Sequence, residues 1–216
     1  MPREMAHSHF GMVTDGRYMY VVTGQYGPQC RGPTAHTFVL DTKTKKWHDF
    51  PPLPVSRGCV VFKDRLYVIG GQEGDFMAKP GAPIFKCSRR NEVVFGNVYM
   101  LDDEVKWKTL PPMLKPDSHI EFAWAIVSNY IVIVGGTTEK HPVTKKMVLV
   151  GEIFQFNFDT LWSVIRELPY RVKTTLVGYW QGWLYFISGQ RDKGPTDPAQ
   201  KEVIGEMWRT KLKLNS

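Results

Sequence analysis

The amino-acid sequence predicts an all-β fold, a β-propeller of about four blades in which the last blade is incomplete. Three observations predict this fold. An apolar string that ends in glycine recurs four times, and another apolar run precedes each string across a short polar turn. In three of the four units a later run leads to a tryptophan and a proline-rich segment. Repeats of this length are typical of propellers, in which each unit forms one small sheet.

Length and composition agree with that class. The chain has 216 residues, and 43% of them are hydrophobic, which supports a sizeable core. Aromatic residues, which suit a pleated and half-buried surface, make up 13%. The 19 glycines and 15 prolines indicate many turns and few long helices.

The first two strands of each unit are predicted to form a hairpin, because two apolar runs flank a short polar turn. The second strand is expected to end at a glycine in each of the strings GRYMYVVTG, DRLYVIGG, NYIVIVGG and GWLYFISG. These glycines are Gly24, Gly71, Gly136 and Gly189.

The glycine pair Gly70–Gly71 does not predict a phosphate-binding loop. Such a loop needs the pattern G-x-x-x-x-G-K-[ST] leading into a helix. The segment after Gly71 is QEGDFMAKPGAPIF, whose proline and glycines oppose a helix start. The same glycine recurs in every unit, so we expect it to shape the backbone.

A third and a fourth strand complete each unit. The third strand is predicted in AHTFVLD, GNVYMLD, GEIFQF and GEMWRT, and the fourth begins at Trp47, Trp107 and Trp162. We expect these tryptophans to pack between neighbouring blades, with an aromatic ligand site as the alternative. In the last unit Trp208 stands in the third strand instead, so the outermost strand is predicted to be missing.

This order of strand, glycine pair, aspartate turn, tryptophan and proline-rich exit resembles the kelch repeat from about His9 to Thr210. The resemblance implies a kelch-type β-propeller with a galactose oxidase-like fold, forming one partial propeller over residues 1–216. Its blades are expected at about 9–57, 58–119, 120–173 and 174–214. Four blades are fewer than such rings normally hold, so we expect an open or strained ring, or a fragment or variant of a longer protein.

Strings such as GQYGPQCRGPTAHTFVLDTKTKKW look like a plant group of kelch-repeat proteins assigned to the Golgi and other endomembranes. Members of that group carry an N-terminal membrane anchor, and no such anchor is recognisable here. No signal peptide is recognisable either, and no apolar run approaches the roughly 20 residues of a membrane-spanning helix. We therefore predict no membrane contact by this chain itself and leave its compartment open.

The charge and the cysteines exclude several further classes. The formal charge of +7 is scattered over likely turns, which argues against a nucleic-acid surface. The three cysteines form no C-x-x-C pair and do not suggest zinc. Cys59 is expected to pack as a small apolar residue, whereas Cys30 and Cys87 occupy equivalent loops and could pair in an oxidising compartment.

Function is expected in two sets of loops, because the strands themselves are occupied with packing. The loops between the second and third strands are 25–34, 72–95, 137–150 and 190–204, and the loops between successive blades are 7–10, 55–58, 116–121 and 171–174. Their arginines favour an acidic partner. The predicted partner-binding face consists of Gln25, Gln72, Glu73, Arg89, Arg90, Glu121, Gln190 and Arg191. Its three glutamines either form a polar ring or satisfy backbone groups at strand ends.

A metal site is not predicted. His7, His9 and His119 fall in blade-to-blade loops with Glu121 nearby, a donor set that suits transition metals. No motif fixes their geometry, however, so we predict neither a metal nor another cofactor.

Two functional hypotheses follow. The first is a non-catalytic scaffold that binds a protein or a glycan through its loop face, with no catalytic residue and with self-association through open strand edges. The alternative is a kelch-fold enzyme, either a metal oxidase or a sugar-modifying type, although no residue matches the Tyr–Cys crosslink and His ligands of the copper oxidases. A ubiquitin-ligase adaptor would need a BTB or F-box segment, and none is recognisable.

Overall fold

The structure is a computed structural model that describes residues 7–8, 10–22, 24–26, 32–54, 58–73, 93–118, 121–158, 161–194, 196–197 and 202–214. Over these residues every regular element is a β-strand and every strand pairing is antiparallel. The chain forms two compact units, Met1–Leu110 and Pro111–Ser216.

The strands of the first unit are β1 (His7–Ser8), β2 (Gly11–Thr14), β3 (Tyr18–Val22), β4 (Gln25–Tyr26), β5 (Gly32–Pro33), β6 (Thr37–Asp41), β7 (Lys46–Phe50), β8 (Cys59–Lys63), β9 (Arg65–Glu73), β10 (Val93–Leu101) and β11 (Trp107–Leu110). They form two four-stranded sheets, β2-β3-β6-β7 and β8-β9-β10-β11, and a small sheet β1-β4-β5.

The strands of the second unit are β12 (Ala123–Val127), β13 (Tyr130–Val134), β14 (Thr137–Lys140), β15 (Met147–Leu149), β16 (Glu152–Asn157), β17 (Leu161–Glu167), β18 (Val172–Lys173), β19 (Leu176–Trp180), β20 (Trp183–Arg191) and β21 (Glu202–Thr210). They form a four-stranded sheet β12-β13-β16-β17, a hairpin β14-β15, and a sheet in which β20 pairs with β18, β19 and β21.

The hairpin turns form where the sequence predicts them. Gln181 and Gly182 both have positive φ angles, 47° and 81°, between the paired residues Trp180 and Trp183. A two-residue hairpin of type I′ requires that conformation. In the first hairpin, Asp15 Oδ1 instead accepts hydrogen bonds from the backbone N–H groups two and three residues later, at 2.8 and 2.6 Å.

Apolar packing lies between consecutive sheets within each unit. In the first unit Val22 of β3 packs with Leu66 and Val68 of β9. In the second, Val132 of β13 packs with Phe186 of β20. Burying such side chains stabilises the fold by about 1.5–3 kcal/mol each, and a single blade could not bury them alone.

The last sheet is incomplete, as the sequence predicts. β18 and β19 lie along the same edge of β20, β21 lies along the other edge, and residues 211–214 form no strand. No described sheet closes on itself. The blade limits and the single domain over residues 1–216 stay predictions.

The four repeated glycines have positive φ angles of 112°, 155°, 117° and 118°. The expectation that a strand ends at each of them is wrong for β9 and β20, which continue past Gly71 and Gly189 to Glu73 and Arg191. Where these strands pair with β10 and β21, the register shifts. A glycine conformation at a register shift bends a strand without ending it, which explains the difference.

Paired strands therefore occupy parts of the segments predicted as loops. β4 pairs with β5, β14 pairs with β15, and the ends of β9 and β20 pair with the starts of β10 and β21. Each second-to-third-strand connection thus begins as a hairpin extension. These extensions carry five of the eight predicted face residues: Gln25, Gln72, Glu73, Gln190 and Arg191.

Two of the repeated tryptophans contact proline-rich exits. Trp107 Nε1 donates a hydrogen bond to the Pro51 carbonyl at 3.0 Å, and Trp162 Nε1 donates one to the Pro111 carbonyl at 3.3 Å. Each bond satisfies an indole N–H that is removed from water. Trp47 is half-buried on β7 opposite Leu40.

Candidate functional site

The second unit contains a cavity of about 760 Å³ beside its hairpin extensions. Residues of three backbone segments line it, 148–152 without Val150, 167–171, and 191–194 without Lys193, together with Lys115 and His141. The segment 167–171 connects β17 to β18, and the segment 191–194 starts at the end of β20. The cavity therefore opens beside the connection between the last two sheets of this unit.

Backbone hydrogen bonds fix the walls of this cavity. Leu168 N donates to the Gly151 carbonyl at 2.7 Å, and Val172 N donates to the Val150 carbonyl at 3.1 Å. On the other side Asp192 N donates to the Arg171 carbonyl at 3.2 Å. Because the connection is bonded on both sides, the cavity is largely formed before any ligand binds.

Ion pairs neutralise two of the cations in the walls. Lys115 pairs with Glu152, and Arg171 Nη1 lies 3.4 Å from Oδ2 of the buried Asp192. Burial acts to raise the pKa of Glu152, but the hydrogen bond and charge of Lys115 outweigh it and lower that pKa. These charged side chains therefore neutralise one another within the cavity walls.

Arg191 differs from the other cations of the cavity. Its guanidinium carbon lies 4.4 Å from the centre of the Tyr170 ring, and its Nε donates to the Asp192 carbonyl at 3.2 Å. Within the described part of the chain, no carboxylate forms an ion pair with it. Glu202 of β21 lies opposite Arg191 in the strand register, but no ion pair joins their side chains, so Arg191 is held in place without an ion-pair partner among the described residues.

Tyr170 is itself held in place by side chains of β21. Its hydroxyl donates to Glu206 Oε2 at 3.3 Å, and the Trp208 indole donates to the same oxygen at 3.1 Å. The rings of Tyr170 and Trp208 meet edge to face with their centres 6.3 Å apart. Burial, followed by the charge and the hydrogen bond of Glu206, raises the pKa of Tyr170, so the phenol stays neutral.

A separate cluster of buried polar side chains does not line the cavity. Glu121 pairs with Lys173 and accepts a hydrogen bond from the Thr137 hydroxyl. Asp117 Oδ1 accepts a hydrogen bond from Ser118 N at 2.8 Å, and Asp117 Oδ2 has no hydrogen-bond partner. This cluster ties the segment before β12 to β14 and β18.

The structure brings two predicted face residues to the cavity region. Arg191 lines the cavity, and its neighbour Gln190 lies on β20 opposite Val203 of β21. In contrast, Glu121 is only 4% exposed within its ion pair, and Gln72 is only 2% exposed on β9.

The remaining predicted face residues are described less fully. Gln25 lies on β4 and Glu73 ends β9, and only their backbones are described. Arg89 and Arg90 lie outside the described residues, as do His9, His119, Cys30 and Cys87. The binding face as a whole and the glutamine ring stay predictions.

Sequence reasoning missed most of the cavity. Tyr170 ends the proline-rich exit at 168–170, and Arg171 begins the blade-to-blade loop 171–174, but the repeat pattern singles out neither residue for binding. A tyrosine at the end of the exit followed by an arginine, in one unit only, is the available signal. The partners Lys115, Glu152 and Asp192 could not be found, because the pairing depends on which segments the sheets bring together.

Among the described residues, no three His, Cys, Asp or Glu side chains gather where they could hold a metal ion. A search of the same residues for a helix long and apolar enough to cross a membrane finds none.

Comparison with known proteins identifies the repeat. The kelch motif matches residues 6–54. A kelch repeat-containing protein of Arabidopsis thaliana is 55% identical over 270 residues, an alignment that covers 99% of this chain and 63% of that protein. The kelch repeat and BTB domain-containing protein 2 of cowpox virus is 26% identical over 149 residues, covering 67% of this chain and 24% of the viral protein. The chain thus spans less than two thirds of these curated relatives.

A solved structure supports the fold over nearly the whole chain. The protein in "Structure of YjhT" superimposes with a TM-score of 0.65 at 16% sequence identity, covering 96% of this chain and 68% of that one. At this identity the likeness concerns the fold alone. Together with the kelch motif, it confirms the predicted all-β, kelch-type propeller class.

Proposed function

We propose that the chain is a non-catalytic scaffold that binds a protein partner through the cavity of its second unit. The kelch motif over residues 6–54 and the propeller-type fold support this proposal. One observation carries the proposal: the cavity has rigid walls whose charged side chains are largely paired with each other. Such a surface offers shape and charge to a partner.

The lining of the cavity disfavours catalysis. Its described lining residues include no Ser, Thr or Cys side chain that could act as a nucleophile. The histidine among these described residues, His141, uses its Nδ1 to accept contacts from Val143 N and Thr144 N, both at 3.3 Å. It thus stabilises its own turn, and no lining base stands beside a nucleophile. The enzyme alternative has no observation of its own in its favour.

A protein partner suits the cavity better than a glycan does. Glycan sites need an open aromatic face on which a sugar ring can stack, and Tyr170 is the only aromatic side chain in the described lining. Arg191 covers one face of its ring at 4.4 Å. The charged walls suit the mixed charges of a polypeptide. The assignment to the Golgi or another endomembrane stays a proposal that rests on the resemblance alone.

The proposal can be tested by filling the cavity. Val148 lines it, whereas Val143 lies in the turn after β14, is 80% exposed and does not line it. We expect Val148→Trp to remove a partner that is captured by chemical crosslinking from an extract and identified by mass spectrometry, and Val143→Trp to retain it. The captured partner is then titrated with each purified variant by calorimetry.

Two results would contradict the proposal. One is equal affinity of both tryptophan variants for the partner, which would show that the cavity is not the binding surface. The other is stoichiometric copper or iron in the purified full chain, measured by plasma mass spectrometry, which would favour the oxidase alternative.

A further inference from the structure

We propose that Arg191 forms a carboxylate subsite in this cavity, so that the partner presents an aspartate or glutamate side chain to it. This inference rests on the proposed binding function and adds the chemistry of the bound group. It starts from the donors of Arg191. A guanidinium has five N–H donors, and the Nε–H is used by the Asp192 carbonyl. The four Nη donors form the fork that matches the two oxygens of a carboxylate.

The charge balance of the cavity singles out Arg191. Lys115 is neutralised by Glu152 and Arg171 by Asp192. Arg191 has no such partner among the described residues, although it lies next to Asp192 in the chain. Asp192 is turned toward Arg171 and offers Arg191 only its backbone carbonyl. The cavity therefore keeps one positive charge for an anion from outside.

The geometry of Arg191 is set before a ligand arrives. Its guanidinium lies over the Tyr170 ring, and the Tyr170 hydroxyl is bonded to Glu206. Glu206 is held in turn by the Trp208 indole, so β21 supports the ring from behind. A guanidinium held in one plane loses less side-chain entropy when it binds, which raises affinity and makes the subsite selective for planar anions.

A direct binding assay tests the subsite without knowledge of the partner. The probe is a fluorescein-labelled decapeptide of glutamate, titrated with the purified full chain by fluorescence anisotropy, and a decapeptide of glutamine is the control probe. We expect the glutamate probe to bind and the glutamine probe to bind at least about tenfold more weakly.

Three variants distinguish recognition by the planar guanidinium of Arg191 from nonspecific electrostatic attraction. Arg191→Gln removes the charge and should weaken glutamate binding by about tenfold or more. Arg191→Lys keeps the charge but loses the planar fork, so an intermediate loss is expected. Lys193→Gln removes an exposed charge two residues away, outside the lining, and should change affinity by no more than about twofold. Thermal unfolding of each variant confirms that it is folded.

Equal losses of affinity for the glutamate probe in Lys193→Gln and Arg191→Gln would overturn the proposed subsite, since the attraction would then be nonspecific. So would binding to a phosphoserine peptide that glutamate cannot displace, or no binding of the glutamate probe by the unaltered chain. If the cavity-filling Val148→Trp variant still loses its captured partner in that last case, the scaffold proposal survives and only the carboxylate assignment fails.

Discussion

The buried carboxyl of Asp117 is the residue whose state depends most on folding. The side chain is 0% exposed, and one of its oxygens lacks a hydrogen-bond partner. Burial raises the pKa of Asp117 well above its usual value. The charge of Glu121 acts in the same direction, whereas N–H groups of Ser118 and Thr137 and the charge of Lys115 act against it. The folded protein therefore holds a proton on Asp117 that the unfolded chain releases more readily.

This difference predicts a stability that falls as the pH rises. The folded state binds the proton more tightly, so the stabilisation begins to be lost near the ordinary aspartate pKa of about 4 and is fully lost above the raised pKa. The slope attributable to Asp117 is at most about 1.4 kcal/mol per pH unit. Urea unfolding of the full chain from about pH 4.5 to 8, followed by tryptophan fluorescence, measures it.

The variant Asp117→Asn isolates this contribution, because asparagine resembles the neutral acid at every pH. We expect its free energy of unfolding to depend less on pH than that of the unaltered chain. Asp49→Asn, at an exposed position of β7, is the control and should leave the slope unchanged. Parallel pH profiles for the unaltered chain and Asp117→Asn would show that Asp117 is ionised in the fold.

Among the elements, β20 shows most clearly how a glycine works within a strand. Gly189 has a φ of +118°, and a Cβ there would lie 2.6 Å from the Lys173 carbonyl and 2.9 Å from a Val172 methyl. The absent side chain lets β18 approach β20. Gly178 on the neighbouring strand β19 has no positive φ, and a Cβ added to it would meet no atom within 4 Å.

These two glycines predict opposite outcomes for the same substitution. Gly189→Ala should lower the free energy of unfolding by about 3 kcal/mol, since it adds both a backbone clash and a strained φ. Gly178→Ala should be neutral or slightly stabilising, because alanine loses less backbone freedom on folding. Thermal unfolding of both variants compares them, and a similar change in melting temperature for the two would rule out the proposed role of Gly189.

At this scale the sequence predicts the strands well and their extensions poorly. The hairpins, the missing outer strand and the positive φ of the glycines all follow from local residue types. The continuation of β20 past Gly189 does not follow from local residue types, because a glycine followed by a polar segment is also typical of the end of a strand. For the same reason Arg191 was placed in a loop, and its contact with Tyr170 depends on how two sheets lie together.

On the scale of the whole molecule, the Arabidopsis relative is a longer protein, because the alignment covers 99% of this chain but only 63% of the relative. The alignment to it spans 270 positions, more than the 216 residues of this chain, so that protein has residues within the aligned region that this chain lacks. No local pattern in the sequence could reveal them. The number of blades predicted from the repeats therefore applies to this chain alone.

The outer edge of β21 leads to a prediction about the assembly of whole chains. Within the described residues β21 pairs with β20 only, so its other edge exposes unpaired backbone groups. An apolar row crosses the sheet to this edge through Leu176 of β19, Ile187 of β20 and Met207 of β21, and Leu176 and Met207 are 69% and 65% exposed. Glu202 stands at one end of the strand, and Arg209 and Lys211 stand near the other.

We expect a second copy of the chain to pair with this edge. Two β21 strands that run antiparallel around a twofold axis would place the acidic end of each near the basic end of the other. Charged side chains reduce pairing at a strand edge, so we expect weak association. Here the charges are those of Arg209 and Lys211, which lie 4.4 and 5.1 Å from the Trp183 ring. Sedimentation velocity from about 1 to 100 µM should therefore show a dimer that grows with concentration and weakens in high salt.

Met207→Lys should abolish that dimer, since it places two like charges beside the joined strands and removes apolar contact from both copies. Val143→Lys adds the same charge at an 80% exposed position away from β21 and should leave the dimer intact. If both variants dimerise like the unaltered chain, the contact lies elsewhere. If the unaltered chain stays monomeric at the highest concentration, then the basic end of β21 is sufficient to protect the open edge, and the predicted self-association is wrong.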